Sequence, residues 1–121
     1  MTIPADARVR AVPNFLACLR AARSRSAPAR FAKLQAEVVK ARGLLSFAPV
    51  SGRPARFLEA KTGWGRFQAE QARKLALSLG MSQLRELVLA HHVVLYAHSE
   101  EEVVLLSLRH ERQLAYWLSP E

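Results

Sequence analysis

The stretch that decides the fold is residues 84–116, which read LRELVLAHHVVLYAHSEEEVVLLSLRHERQLAY. Three runs rich in Val and Leu lie in it, at 84–90, 93–97 and 103–109, and short polar segments separate them. Such runs, bounded by polar residues, are typical of β-strands joined by tight connections. We therefore predict an antiparallel meander of three strands.

Helical spacing governs most of the chain upstream. Residues 8–12 alternate charged and small apolar residues and predict a short edge strand, which Pro13 closes. Ser26 is placed to cap a helix that has Pro28 in its first turn. Two segments have apolar residues at helical spacing, and these are Phe15, Leu19 and Ala22 in the first and Phe31, Leu34, Val38, Ala41 and Leu45 in the second. The two segments predict an antiparallel helix hairpin.

A segment rich in turn residues, 48–54, follows the hairpin. A brief strand or an irregular crossing is expected over 56–60. Helical periodicity returns over 66–79 and Gly80 provides a stop, so we predict an inserted helix within about 65–82.

Strands that follow helices along the chain predict an α+β fold in one domain spanning residues 1–121. The expected architecture is an antiparallel sheet of three to four strands, with the N-terminal helix hairpin on one face and the inserted helix added to it. A short terminal helix is expected over 111–118, with Trp117 packed back onto the sheet. The other face of the sheet and its ends are then left for recognition.

The composition favours an acidic or phosphate-rich partner. The 121 residues include 18 Lys and Arg against 10 Asp and Glu, a formal net charge of +8. Basic side chains attract nucleic acids and acidic proteins alike, so charge alone does not separate these partners. A single cysteine, Cys18, excludes an internal disulfide and fits a reducing cytoplasm, and no apolar run approaches the length of a membrane span. We expect a cytoplasmic protein with no membrane partner.

The last predicted strand ends in a cationic cluster. Alternation along this strand places His110 on the side of Leu106 and Leu108, and Arg109 on the other side. An imidazole beside Arg109 and Arg112 has the parts of a general acid or base with cations that hold a phosphate. The alternative is that His110 makes a structural hydrogen bond at the strand end, while the two arginines are solvated or bind a protein.

Three further residues are candidates for binding or catalysis. Arg85 begins the first meander strand and is expected at the sheet end where the last strand exits, or in a surface pair with Glu86. Tyr116 is able to stack on a base or donate a proton, although a C-terminal aromatic also serves to anchor a chain end in the core. Arg53 is held out from the chain by a stiff Gly-Arg-Pro turn, or is simply a turn residue.

The sequence predicts no cofactor and no metal site. His91 and His92 are adjacent at a predicted hairpin and point to opposite faces if the chain is extended there, and supporting carboxylates at ligand spacing are absent. Ser51 and Cys18 have no base partner at a recognisable spacing, and neither standard Gly-rich phosphate loop is present. Hydrolase and nucleotide-binding functions of these kinds are therefore not predicted.

Four motifs in order carry a resemblance to a known family. GRP at 52–54, RELVL at 85–89, VVLY at 93–96 and VVLLSLRH-x-R at 103–112 resemble the RelE/ParE superfamily of toxins from type II toxin–antitoxin systems, which includes plasmid stabilisation proteins. The resemblance covers most of the chain, although each motif is short. The main departure is the inserted helix at 65–82, where most members have a short loop or strand.

The resemblance implies a small basic toxin that arrests bacterial growth and is neutralised by an acidic antitoxin. ParE-like members inhibit DNA gyrase, whereas RelE-like members are enzymes that cut mRNA on the ribosome. The His-x-Arg ending is similar to ParE-type sequences, so we expect gyrase inhibition, with a RelE-like nuclease or a non-toxic relative as the alternatives. Both a homodimer and a toxin–antitoxin hetero-oligomer stay open.

The two activities assign the candidate residues differently. The expected binding residues are Arg53, Arg85, Arg109 and Arg112. For the RelE-like alternative alone, the expected catalytic residues are His110, Arg112, Arg85 and Tyr116.

Overall fold

A computed structural model describes residues 6–55 and 62–118. In chain order the elements are β1 (Arg8–Ala11), α1 (Pro13–Arg25), α2 (Pro28–Phe47), a 3-10 turn (Pro49–Ser51), β2 (Arg53–Pro54), α3 (Gly63–Ser78), β3 (Gln83–Val88), β4 (His92–His98) and β5 (Glu102–His110). The predicted α+β class is confirmed. The crossing or strand expected over 56–60 lies outside the described residues.

The sheet has five strands in the order β1-β5-β4-β3-β2. β1 runs parallel to β5, whereas the other neighbours are antiparallel. The predicted antiparallel sheet of three to four strands was therefore too small and of the wrong kind. Alternation predicts a strand but not its partner, and here the partner of β1 is β5, with ion pairs from Arg8 and Arg10 to Glu102 beside the backbone pairing.

The predicted packing of a helix hairpin on one sheet face was wrong, because Cys18 of α1 contacts Ser107 on the face opposite α2. Both helices form, and α2 buries Leu34, Val38, Ala41 and Leu45. Its N-cap, however, is Ala27 without a side-chain hydrogen bond, so the predicted capping role of Ser26 was wrong. α3 is followed by Gly80, whose φ of 75° lies in the left-handed region that glycine adopts at no steric cost and that stops a helix. Within the described ranges, none of the helices has the length and apolar character needed to cross a membrane.

Helices cover both faces of the sheet. Leu87 and Tyr96 belong to the face against α2, because Leu87 lines a groove with Ala41 and Leu44 of that helix. We call this the α2 face. Alternation places Glu86 on the opposite face, which we call the Glu86 face, and its side chains from β3, β4 and β5 include Leu84, Glu86, Leu95, Ser107 and Arg109.

The Glu86 face is covered by α1, by α3 and by the C-terminal segment, and Cys18 Sγ of α1 lies 3.6 Å from Ser107 Oγ. Gln68 of α3 holds the backbone of Tyr116, donating to its carbonyl at 2.9 Å and accepting from its N–H at 3.3 Å. Tyr116 in turn donates to Glu86. The face that we expected to be left for recognition is therefore closed over Glu86.

A β-bulge in β5 changes which side chains share a face. Leu95 pairs with Ser107 and Tyr96 pairs with Leu105, so Leu106 has no partner on β4. Strict alternation fails across such an extra residue. His110 therefore shares a face with Leu108 and Leu105, and its predicted alignment with Leu106 was wrong.

The C-terminal segment is irregular rather than helical. Residues 111–118 form turns and bends, which corrects the predicted terminal helix. The carbonyl of Trp117 accepts hydrogen bonds from Asn14 Nδ2 at 2.8 Å and from Ser107 Oγ at 2.7 Å. Tyr116 is buried and Trp117 is 69% exposed, so the aromatic residue that packs on the sheet is Tyr116.

Candidate functional site

A buried carboxylate organises the Glu86 face. Glu86 is only 3% exposed, and one of its oxygens accepts the hydroxyl hydrogen of Tyr116. Arg53 Nε lies 3.6 Å from Glu86 Oε1, and Arg109 Nη2 lies 4.0 Å from Glu86 Oε2. The Arg109 guanidinium also lies 5.2 Å from the centre of the Tyr116 ring. We refer to these four residues as the Glu86 cluster.

Strand pairing explains why these residues meet. Glu86 of β3 is directly opposite Arg53 of β2, so the carboxylate and the guanidinium leave the sheet on the same side. Arg109 reaches the same face because the bulge at Leu106 sets the orientation of the end of β5. Tyr116 arrives from outside the sheet, held by Gln68.

The electrostatics of the cluster keep the Tyr116 phenol protonated. Burial raises the pKa of Tyr116 far above its ordinary value, and its hydrogen bond to Glu86 and the charge of that carboxylate raise it further. The positive charge of Arg109 opposes this shift only in part. Tyr116 is therefore a hydrogen-bond donor to Glu86, and this environment opposes ionisation of its hydroxyl.

Arg53 is the least satisfied member of the cluster. Within the described parts of the chain, its Nε is buried and has no hydrogen-bond partner, although Glu86 lies within ion-pair distance. A buried N–H without a partner is costly, so the charge of Glu86 must compensate for it. The remainder of the side chain is about one-third exposed, which leaves its guanidinium accessible from one side.

Arg85 belongs to a separate network on the α2 face. Its Nε donates to His98 Nε2 at 3.0 Å and its Nη1 donates to the Gly52 carbonyl at 3.0 Å. Tyr96 completes this network, since its hydroxyl donates to the Pro49 carbonyl at 2.6 Å and accepts the Gly52 N–H at 2.9 Å. Arg85 thus holds the turn before β2 in place.

Gly52 is required by this close packing. A Cβ atom at position 52 would lie 2.6 Å from Tyr96 Oη and 2.7 Å from the Glu86 carbonyl. No such contact is tolerated without movement of the backbone. The Gly-Arg-Pro motif is therefore explained by contact with Tyr96 at its first residue and by the Glu86 ion pair at its second.

His110 and Arg112 lie at the far end of the sheet from Arg85. His110 Nδ1 accepts the backbone N–H of Arg112 at 3.1 Å, and its ring meets that of His92 edge-on at 5.1 Å between centroids. Burial lowers the pKa of His92, and the neighbouring His110 lowers it further. Arg112 itself is exposed, in the turn that follows β5.

The predicted site residues are therefore divided among three places. Arg53, Arg109 and Tyr116 converge on the Glu86 face, while His110 and Arg112 lie at the end of β5. The expectation that Arg85 lies at the exit of the last strand was wrong. In a three-strand meander the first and third strands run in the same direction, so the start of one lies far from the end of the other.

Sequence reasoning missed Glu86 and Gln68 as the residues that connect the cluster. Glu86 was considered only as a surface partner of Arg85. Its alternation with Leu84 and Val88 was a signal, since it places the carboxylate in an otherwise apolar row. Gln68 had no comparable signal, because its role depends on a segment 48 residues away.

The described residues contain no group of three or more His, Cys, Asp or Glu side chains placed to hold a metal ion. Comparisons of the chain with protein-family models, with curated proteins and with solved structures found no match.

Proposed function

We propose that this chain is the toxin of a type II toxin–antitoxin module, which acts in the bacterial cytoplasm by ParE-like inhibition of DNA gyrase and is neutralised by an acidic antitoxin. The ordered motifs GRP, RELVL, VVLY and VVLLSLRH-x-R support the family, and the net charge of +8 supports an acidic antitoxin. The choice of gyrase inhibition over RNA cleavage rests on geometry.

The observation that carries this choice is the separation of the candidate catalytic residues. General acid–base catalysis requires its groups within hydrogen-bond reach of one substrate. Tyr116 is buried against Glu86 on one face, Arg85 is bound to His98 on the other, and His110 lies at the opposite end of the sheet from Arg85. This dispersal supports a protein that acts by binding rather than by cutting RNA.

A groove between α2 and β3 supports a protein partner. The groove has a volume of about 440 Å³ and is lined by Glu37, Lys40, Ala41 and Leu44 of α2 and by residues 87–90. Leu44 and Val88 are about half exposed, and apolar surface of this kind anchors protein interfaces. Within the described residues, β2 pairs only with Arg85 and Glu86 of β3. The part of β3 that borders the groove, residues 87 and 88, is therefore not paired by β2.

We propose that an apolar segment of the antitoxin with acidic flanks occupies this groove. Lys40 lines the groove and is exposed, and the charge of the whole chain favours a negatively charged segment. A second copy of this chain fits less well, because two surfaces of net positive charge repel each other.

Gyrase inhibition is tested with purified protein in a supercoiling assay on relaxed plasmid, alongside induction of the protein in a bacterium. We expect growth arrest, loss of supercoiling activity, and no new mRNA 5′ ends within translated frames. Arg112→Ala removes an exposed cation at the end of β5 and is expected to weaken inhibition. Arg66→Ala, an exposed arginine on α3, is the matched control.

The other outcomes have definite meanings. New 5′ ends within translated frames would establish the RelE-like nuclease, whose supporting observation is the contact of His110 Nδ1 with the backbone of Arg112 at an open sheet end. The absence of both growth arrest and cleavage would identify a non-toxic relative. The cover that α3 places over the Glu86 face supports that alternative.

The groove is tested by co-expression with the small acidic protein of a neighbouring reading frame. Leu44→Asp and Val88→Asp place a charge in the groove and are expected to preserve toxicity while preventing neutralisation. Leu77→Asp, at a more exposed apolar position on α3, should remain neutralised. Neutralisation of all three variants would contradict the groove as the antitoxin site.

A further inference from the structure

The positive charge of the chain is concentrated in one region. Residues 7–36 contain seven Lys and Arg and no Asp or Glu, although the net charge of the whole chain is only +8. Two of the seven, Arg8 and Arg10, are paired with Glu102. The five others are all exposed, and they are Arg20, Arg23, Arg25, Arg30 and Lys33. We call these five residues the basic tip.

The basic tip lies where α1 turns into α2. Arg20, Arg23 and Arg25 occupy the last turns of α1, and Arg30 and Lys33 occupy the first turns of α2. Among the described residues, no carboxylate forms an ion pair with any of them. The C-terminal end of α1 explains the positive charge of Arg23 and Arg25, since a cation is favourable at a helix C-terminus. Arg30 and Lys33 have no such explanation, because a helix N-terminus favours negative charge.

Apolar anchors are absent from the basic tip. The large apolar side chains that the structure leaves exposed include Leu16 and Val39 on the hairpin, and none between these two positions. Phe31, the one aromatic residue of that span, packs against the core. Protein interfaces depend on buried apolar and aromatic anchors, so this surface is suited to a partner recognised through charge.

The geometry points to the phosphate backbone of double-stranded DNA as that partner. The five cations flank the two-residue link between α1 and α2, so they lie close together in the fold. Duplex DNA carries about one negative charge per 1.7 Å of its axis, so a compact group of cations is able to contact several phosphates at once. Single strands fit less well because the tip has no exposed ring for base stacking, and the major groove of A-form RNA is deep and narrow.

We propose that the basic tip binds duplex DNA through phosphate contacts, without reading its sequence. Each arginine offers a planar set of donors that matches a phosphate, and no base-specific pairing is required. This inference rests on the charge and exposure of the basic tip and not on gyrase inhibition, so the two proposals are separable.

The test is fluorescence anisotropy of a labelled 20-base-pair DNA duplex titrated with the full chain. If four phosphates are contacted, raising monovalent salt from 50 to 200 mM should weaken binding by about 150-fold. Arg20→Ala combined with Arg30→Ala should lower the slope of log affinity against log salt by about two and weaken binding by about tenfold or more. Thermal unfolding of this variant should match that of the parent, since both side chains are exposed.

The matched control is Arg66→Ala combined with Lys74→Ala, which removes the same charge from exposed positions on α3. This variant should retain DNA affinity and slope. Equal loss in both double variants would attribute binding to diffuse charge and overturn the assignment to the basic tip. Tighter binding of an RNA duplex, of a single strand or of poly-glutamate than of DNA would overturn the choice of partner. DNA binding without any effect on gyrase would leave this proposal standing and remove the proposed function.

Discussion

The two faces of the sheet bury side chains of different chemistry. The α2 face buries apolar side chains such as Leu105 and Val94 almost fully, and its polar network around Arg85 bonds to His98 and to the Gly52 backbone carbonyl. The Glu86 face buries a carboxylate with a tyrosine and two arginines under α3. An apolar face is stabilised roughly in proportion to its buried area, whereas a buried charge is tolerated only while its partners remain in place. The comparison predicts that the Glu86 face is more sensitive to single changes of charge than to changes of volume.

The largest expected effect is that of Glu86→Ala. Loss of the carboxylate removes the ion-pair partner of Arg53 and Arg109 and the hydrogen-bond acceptor of the Tyr116 hydroxyl, which we expect to destabilise the fold by about 3 to 5 kcal/mol. Urea unfolding measures this change. Glu70→Ala, which removes a carboxylate from an exposed pair with Lys74, should cost about 1 kcal/mol or less. Similar losses in the two variants would contradict the central place of Glu86.

On the α2 face, Leu105→Ala is expected to cost about 3 kcal/mol, because it removes a fully buried side chain and leaves a cavity. Chemical denaturation again provides the measurement. Leu77→Ala, at an exposed position of α3, should change stability by less than about 0.5 kcal/mol. A small effect of Leu105→Ala would mean that the α2 face is not a packed core.

The close packing of the turn before β2 against Tyr96 and the Glu86 backbone is tested by Gly52→Ala. The added Cβ would contact Tyr96 Oη and the Glu86 carbonyl below 3 Å, so we expect a cost of about 1 to 3 kcal/mol. Gly43→Ala is the matched control, because its Cβ meets no atom within 4 Å and it lies inside α2. That variant should stabilise the protein by about 0.5 to 1 kcal/mol. If Gly52→Ala also stabilised the protein, the close contact of Gly52 with Tyr96 and the Glu86 carbonyl would be refuted.

Tyr116→Phe sharpens the comparison by removing one hydroxyl. The phenol donates to a charged carboxylate, so its loss should cost about 1.5 to 3 kcal/mol. Tyr96→Phe removes a hydroxyl that bonds neutral backbone groups on the α2 face and should cost about 1 kcal/mol. Thermal unfolding of the two variants measures the loss of stability in each. A larger loss for Tyr96→Phe than for Tyr116→Phe would contradict this prediction.

The smallest expected effect is a pH dependence at His92. Burial holds the pKa of His92 below its ordinary value of 6.5, and the facing charges of His110, Glu37, His91 and Glu111 modify it further. Because the folded-state pKa is the lower one, the unfolded state binds more protons, and stability falls as the pH falls below about 6.5. The Tm of His92→Gln should therefore drop less between pH 7.5 and pH 5 than that of the parent. An identical drop would show that other groups cause the acid sensitivity.

Elements with a strong local pattern were predictable from the sequence. The apolar stripe of α2 matches its buried residues, and the three C-terminal strands lie within two residues of their predicted bounds. Gly80 ends α3 as expected. These features depend on periodicity and on backbone preferences, which a sequence displays directly.

Features that depend on distant residues were not predictable in this way. The segment 111–118 lacks a helix because side chains from α1, α3 and β5 bind its backbone, and tertiary contacts override local propensity. The bulge at Leu106 is likewise not predicted by any feature of the run VVLLSLRH. Of the candidate site, Arg53, Arg109 and Tyr116 were identified separately, but their meeting point at Glu86 required the pairing of β2 with β3.

The parallel pairing of β1 with β5 has a consequence for synthesis. Arg10 and its partner Glu102 are 92 residues apart, so the first strand leaves the ribosome long before its neighbour exists. At a translation rate of about 5 to 20 residues per second, this delay is roughly 5 to 18 s. The helices α1 and α2 are able to form from local contacts during that interval, while the pairing of β1 must wait for β5. The sheet, and any activity that depends on it, is therefore complete only after residues 102–110 have been synthesised.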